Sequence, residues 1–147
     1  MGIGVFHDLR AWQTARTFKL AVYRLCGSGS LARDDRLSHQ LREAAASAAS
    51  QIAEGFGRFN PADFARFLSM AKGSLIEAQN HLQDAVDRGH LEEAIKIEHD
   101  RLAQVALRDV IALLEYLQSP AALENAKRIR ANANQIERRT KNPEPGT

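Results

Sequence analysis

The sequence has few of the residues from which most chemical sites are built. Its 147 residues include one cysteine, Cys26, so no disulfide can form within the chain. The five histidines show no HExxH motif, no paired Glu-x-x-His motif and no Cys/His zinc spacing, and no nucleophile elbow surrounds a serine. We therefore predict no catalysis, metal, cofactor or small-molecule substrate. Cys26 itself lies in an apolar helical pattern and is expected to be a small buried side chain.

Long apolar runs and targeting signals are also missing. No run approaches the roughly 20 apolar residues that cross a bilayer, and the start MGIGVFHDLRAW has no basic region followed by a long apolar one. Phe6 stands where N-myristoylation requires serine or threonine. The hydrophobic fraction of 44% and the charged fraction of 26% are typical of folded soluble proteins. We expect a cytoplasmic protein without membrane contact.

Alternating strand patterns are absent, whereas apolar residues recur every three or four positions along most of the chain. The sequence therefore predicts an all-α fold, with GSGS at 27–30 as a flexible turn and Asn60 and Pro61 starting the third helix. Short connections favour antiparallel neighbours, hence an up-down-up-down four-helix bundle over residues 6–118. The helices are predicted over about 8–26, 34–55, 61–88, 91–117 and, as a marginal helix, 120–139.

The C-terminal extension, residues 119–147, carries most of the positive charge. It holds six lysines and arginines against three glutamates, whereas the preceding part of the chain is nearly neutral. We predict a basic extension that is partly helical and ends in a disordered NPEPGT segment. Its basic residues are either a solvated helix face or contacts for the phosphates of RNA or DNA. These residues are Lys127, Arg128, Arg130, Arg138, Arg139 and Lys141.

Two residues in the stretch SQIAEGFGRFNPADFARFLSMAKGSL are unfavourable where they stand. Glu54 lies at the negative end of a helix and needs a cation, for which Arg58 and Lys72 are candidates. Gly73 lies inside a helix, where glycine costs about 1 kcal/mol relative to alanine. Close packing against the small residues of AAASAAS at 44–50, or against another subunit, would offset that cost. Binding of a ligand against the bare backbone is the alternative.

A polar edge, which includes Ser47, accompanies these two residues. It could be a seam between helices or subunits, an exposed face, or a ligand-binding line. We favour the seam and hypothesise one structural polar cluster at the junction of the second and third helices. GFGRFN at 55–60 is interpreted as the end of one helix and a turn into the next, because no strand precedes it and no GK[ST] follows. The predicted cluster consists of Gln51, Glu54, Arg58, Lys72, Gly73 and Ser74.

Three segments, FHDLRAWQTA, QLREAAASAASQIAEGFGR and FARFLSMAKGSLIEAQNHL, resemble a known family. These are the four-helix bundle proteins first noted as reading frames inside intervening sequences of bacterial 23S ribosomal RNA genes. The resemblance covers about residues 6–117 and implies an antiparallel bundle that assembles into a homopentameric ring in the bacterial cytoplasm. It implies no established reaction. Gln51 stands where the family usually has asparagine before Ile-Ala-Glu-Gly, so no role of that asparagine is carried over to this chain.

A related branch of similar fold comprises the accessory proteins of diversity-generating retroelements. These are basic pentamers that bind reverse transcriptase and nucleic acid, whereas the bundle part of this chain is nearly neutral. Two functions are therefore expected as alternatives. One is a non-catalytic homo-oligomeric scaffold, and the other is a nucleic-acid-binding accessory protein associated with ribosomal RNA or a retroelement.

Overall fold

A computed structural model describes residues 4–58 and 60–142, without the side chains of residues 126, 129, 130 and 133. All regular secondary structure in this part is helical, which confirms the predicted all-α class. A 3₁₀ turn at Phe6–Asp8 comes first, and six α-helices follow. They are α1 (Arg10–Leu25), α2 (Gly29–Arg33), α3 (Asp35–Phe56), α4 (Pro61–Asp87), α5 (Glu93–Leu117) and α6 (Pro120–Lys141).

The helix ends of α4 are set by residues that the sequence indicated. Asn60 Oδ1 accepts a hydrogen bond from the Ala62 N–H at 2.8 Å, and Pro61 occupies the first helical position. At the other end Gly89 has φ of +80°, and the His90 N–H donates to the Ala85 carbonyl at 2.8 Å. A left-handed glycine followed by such a bond satisfies the last carbonyls of a helix. Both predicted boundaries of α4 are confirmed.

The connection after α1 differs from the flexible turn that was predicted. Gly29, with φ of +69°, begins the short helix α2. Leu31 in α2 is 1% exposed, and its carbonyl accepts a hydrogen bond from the Ser38 hydroxyl in α3. The buried Leu31 and its bond to the Ser38 hydroxyl therefore hold α2 against the core. The glycines and serines of the predicted turn gave no indication of this contact.

The four long helices share one core. In it α3 packs on α4, α4 on α5, α5 on α1, and α1 on α3. Between α1 and α5, Thr14 Oγ1 donates to Asp109 Oδ2 at 3.0 Å, whereas Leu25 lines a groove with Ile95. The two helices therefore run in opposite directions. The largest fully buried apolar side chains are Phe18, Val22, Leu31, Leu37, Leu41, Ile52, Leu68, Leu75, Leu82 and Val110.

Helix α6 stands apart from this core. Ser119 Oγ accepts from the Ala122 N–H at 3.3 Å, and Pro120 follows it as predicted. Ala122 is buried, but every described side chain from Leu123 to Asn142 is exposed. The helix continues two residues beyond the predicted end at Arg139, and the predicted disordered segment lies almost wholly outside the described residues. None of the described helices is long and apolar enough to traverse a bilayer.

Candidate functional site

Part of the predicted polar cluster joins α3 to α4. The Ser74 hydroxyl donates to Gln51 Oε1 at 3.1 Å and lies 3.3 Å from Ser47 Oγ. Ser74 is only 8% exposed, so these bonds satisfy a hydroxyl that would otherwise be buried without a partner. The amide oxygen of Gln51 thus has a defined partner in this chain, although the resembling family usually has asparagine at that position.

Glu54 is paired within its own helix. Arg58 Nη2 lies 3.3 Å from Glu54 Oε1, and the Arg58 guanidinium also lies 5.1 Å from the centre of the Phe67 ring. About half of each charged side chain is exposed, so the pair is worth only about 0.3–0.5 kcal/mol. Lys72, the other predicted cation, does not form an ion pair with Glu54. It is exposed and makes no hydrogen bond or ion pair within the described part of the chain.

Gly73 does not pack closely on α3. It is exposed, and a Cβ atom added to it would meet no atom within 4 Å. The predicted close contact with the small residues of AAASAAS within one chain is therefore wrong, because Gly73 points away from α3. Contact with another subunit, the second alternative, stays a prediction.

The glycine that packs closely is Gly55, which sequence reasoning interpreted only as a helix end. Gly55 is buried in the last turn of α3. A Cβ atom added there would lie 2.7 Å from Phe67 Cβ and 2.8 Å from Phe64 Cδ2. The sequence signal available for this contact was a glycine just before a short turn into a helix with phenylalanines, Phe64 and Phe67, in its first two turns.

A second polar network, centred on Asp34, was not predicted, although the second helix was predicted to begin near Asp34 or Asp35. Asp34 Oδ1 accepts from the Leu37 N–H at 3.3 Å and so caps α3. Asp34 Oδ2 accepts from Arg88 at 3.1 Å and lies 2.9 Å from His90 Nε2, while His90 Nδ1 lies 2.8 Å from Ser30 Oγ. One carboxylate thus ties α2 and the start of α3 to the end of α4. The sequence could not show this, because the partners are more than fifty positions apart.

The charge of Asp34 is stabilised by these contacts. The hydrogen bond with His90 lowers the pKa of Asp34 most, the Leu37 N–H and Arg88 act in the same direction, and partial burial opposes them. Ser30, His90 and Asp34 form a chain of hydrogen bonds, with His90 Nδ1 facing Ser30 and His90 Nε2 facing Asp34. The residues therefore bind three segments of the chain to one another.

Replacement of Asp34 with asparagine is expected to make stability less dependent on pH. Asparagine keeps the capping oxygen but loses the charge that Arg88 and His90 bind. Because the pKa of Asp34 is lowered by folding, its contribution is fully present above the unfolded value of about 3.9 and is lost as pH falls through the folded value. We expect a lower urea midpoint for Asp34→Asn than for the parent at pH 7. Near pH 2 the difference between the two midpoints should be smaller.

The matched control is Asp35→Asn, which removes a charge from the same helix start without breaking this network. It should shift the midpoint less at pH 7. If the midpoints of Asp34→Asn and the parent differed equally at both pH values, the charge of Asp34 would not be what stabilises the contact of α2 and α3 with α4.

Other possible sites hold little chemistry. Among the described residues no group of three His, Cys, Asp or Glu side chains could hold a metal ion. The His81–Glu77 pair, one turn apart, is a contact of 3.3 Å. Cys26 is buried as predicted, and its burial raises the pKa of the thiol, which disfavours a reactive thiolate. A shallow groove of about 380 Å³ between α1 and α5 is lined partly by Leu25 and Leu102.

Helix α6 presents its basic residues to solvent. Those whose side chains are described are exposed, and the side chain of Arg130 lies outside the described part. Arg128 bonds to Asn125, and Lys141 Nζ lies 2.6 Å from Glu137 Oε1. The exposed basic residues are Lys127, Arg128, Arg138, Arg139 and Lys141.

These features define an all-α protein whose long amphipathic helices share one core and are joined by polar networks. A sequence model of the 23S rRNA-intervening sequence protein family matches residues 7–108, which extend from the turn before α1 into α5. The chain belongs to this family, as the three resembling segments indicated. A search of curated proteins found no match. Helix α6 lies beyond the matched residues.

Proposed function

We propose that the protein is a non-catalytic scaffold that acts by binding copies of itself. Its four long helices would form the antiparallel up-down-up-down bundle, and the copies would close into a ring of five in the cytoplasm, as the family resemblance implied. The opposite directions of α1 and α5, and the cyclic packing of the long helices, support the bundle. Its biological partner would be held by the assembled ring.

One observation carries the proposal of self-association. On the outer side of α4, Met70 and Ile76 are 43% and 48% exposed, and Gly73 lies between them in sequence. A glycine in a helix interior costs about 1 kcal/mol, and no contact within the chain requires it here. Exposed apolar side chains beside bare backbone suit close approach of a helix from another molecule. We define Met70, Gly73 and Ile76 as the α4 outer patch.

Replacement of Gly73 with leucine is expected to break the assembly without unfolding the subunit. An added Cβ atom meets no atom within 4 Å in one chain and Gly73 is exposed, whereas a leucine side chain would obstruct the backbone of a neighbouring molecule. Light scattering coupled to gel filtration should give a multiple of the 16.3 kDa chain for the parent and a smaller species for the variant. Circular dichroism should show unchanged helicity.

The matched control is Ala62→Leu, which adds the same side chain at an exposed position on the same side of α4, about 16 Å nearer the start of the helix. It should leave the assembly intact. A parent that is monomeric at tens of micromolar would refute the scaffold proposal. A Gly73→Leu variant with the parent's mass would show that the α4 outer patch is not the contact.

The second candidate is a nucleic-acid-binding accessory protein, and the exposed basic helix α6 favours it. Lys127 and Arg128 lie about 16 Å along the helix from Arg138 and Arg139. The two pairs could therefore contact phosphates at both ends of a short segment of RNA or DNA. Several α6 helices on one assembly would multiply weak contacts into useful affinity. No described aromatic side chain lies within α6, so binding would rest on phosphates rather than on base stacking.

Binding of RNA or DNA through α6 is expected to weaken steeply with salt. Each phosphate contact contributes a slope of roughly −0.7 to −0.9 in log K against log salt concentration. Titration of labelled RNA and DNA at 50 and 200 mM salt should therefore show a large loss of affinity. The double variant Lys127→Ala, Arg128→Ala should lower the slope by about 1 to 2. Arg36→Ala, at an exposed arginine of α3, should not. Absence of binding at 50 mM salt would eliminate this candidate.

A further inference from the structure

The two most exposed large apolar side chains of the described residues lie in helices of opposite charge. Ile136 in α6 is 64% exposed, and Ile97 in α5 is 59% exposed. Exposure of isoleucine to water is unfavourable, and its burial against another apolar surface is favourable. Both are therefore candidates for contact with something outside the chain.

The charges beside the two isoleucines are complementary. α5 begins with Glu93, which follows Glu92 and lies one turn before Ile97 on the same side of the helix. Glu93 Oε1 lies 3.8 Å from Lys96 Nζ, but its side chain is 60% exposed and so open to a second cation. α6 ends with a basic last turn, and its Arg139 lies one turn after Ile136. The side-chain charges at the start of α5 and at the end of α6 are of opposite sign, and each has the sign that stabilises its own helix end.

The positions of the isoleucines match in register. Ile97 lies four residues after Glu93, the first residue of α5, which is about 6 Å along the axis. Ile136 lies five residues before Lys141, the last residue of α6, which is about 7.5 Å. An antiparallel crossing that brings the isoleucines together therefore also brings the two charged helix ends together. In that crossing Arg101, the basic neighbour of Ile97 in the next turn, faces the neutral Asn132.

We propose that the C-terminal half of α6 of one copy docks antiparallel on the start of α5 of a second copy, with Ile136 against Ile97 and Arg139 against Glu93. This inference rests on the self-association proposed above and names a second contact for it. Each copy would donate one α6 and receive another. Such a head-to-tail contact closes into a ring when the rotation between copies permits.

The chain's own α6 is a poorer occupant of this surface. Ile136 is sixteen residues from the start of α6, or about 24 Å, whereas Ile97 is twenty residues from the end of α5, or about 30 Å. A fold-back of α6 along its own α5 would thus leave the isoleucines about 6 Å apart along the axis. In the structure α6 leaves the surface of its own bundle, because the described side chains after Ala122 are exposed.

Cysteine cross-linking between full-length chains tests the contact. One chain carries Ile97→Cys and the other carries Ile136→Cys with a larger tag, and Cys26 is alanine in both. Mild oxidation of the mixture should give a disulfide-linked pair of mixed mass. The control replaces Ile97→Cys by Ile111→Cys, which lies on the same side of α5 but about 21 Å further along. The control pair should cross-link at least tenfold less.

Equal cross-linking of the two pairs would overturn the proposal. So would a chain carrying both Ile97→Cys and Ile136→Cys that forms only an internal disulfide, since α6 would then occupy its own α5.

Charge reversal supplies a second measurement. Glu93→Arg and Arg139→Glu should each weaken association at least several-fold at 50 mM salt, and the chain that carries both should recover it. If the parent assembles, but neither charge reversal weakens the assembly and the cysteines at 97 and 136 do not cross-link preferentially, this contact is wrong and the scaffold proposal stands. If the parent is a monomer, both fail.

Discussion

Replacement of Gly55 with alanine is expected to destabilise the protein by about 1–3 kcal/mol, although alanine is the better helix former. The added Cβ would lie 2.7 Å from Phe67 Cβ, an atom that is held by the backbone of α4. Relief of this contact requires α3 and α4 to move apart, and these two helices pack together more extensively than any other pair. The cost of overpacking therefore exceeds the gain in helix propensity. Urea unfolding at pH 7, followed by circular dichroism, measures the change.

The control for this prediction is Gly57→Ala, two residues further along. Gly57 is exposed with φ of −70°, and a Cβ atom there would meet its nearest neighbour, the Glu54 carbonyl oxygen, at an ordinary 3.4 Å. That substitution should be neutral or stabilise by up to about 1 kcal/mol. If Gly55→Ala were as stable as Gly57→Ala, the close approach of α3 to α4 at this point would be disproved.

Replacement of Phe18 with alanine is expected to cost about 3–5 kcal/mol. Phe18 is the largest of the fully buried side chains and has no exposed surface. It lies in α1, which packs on both α3 and α5, so its removal leaves a cavity among three helices. A loss of this size is a large part of the 5–15 kcal/mol that stabilises a typical domain. The variant should therefore unfold at a much lower urea concentration or be partly unfolded at 37 °C.

Tyr23→Ala provides the comparison within the same helix. Tyr23 is 40% exposed, so its removal should cost about 1 kcal/mol or less. Similar midpoints for Phe18→Ala and Tyr23→Ala would contradict the packing of α1 against the core described above.

The sequence was sufficient for features that depend on neighbouring residues. The apolar stripes of α3 and α4 repeat every three or four positions, and their members are buried or nearly so. The start of α4 was also predictable, because Asn60 and Pro61 act on amides within one turn. These features follow from local geometry, which a single sequence displays directly.

Features that depend on distant residues were not predictable in the same way. Asp34 was expected only to start a helix, and its bonds to Arg88 and His90 exist because the end of α4 returns to that point. Gly55 and Gly73 look alike in sequence, yet only Gly55 faces a neighbouring helix of the same chain. The direction in which each glycine faces depends on the rotation of the helices about their axes, and this is set by the whole core.

The isolation of α6 from the core leaves most of its sequence free of packing constraints. Beyond Ala122 its described side chains are exposed, so substitutions there leave the packing of the other helices untouched. Residues of α6 beyond Ala122 can therefore be exchanged without repacking the core, whereas the buried residues of α1, α3, α4 and α5 cannot.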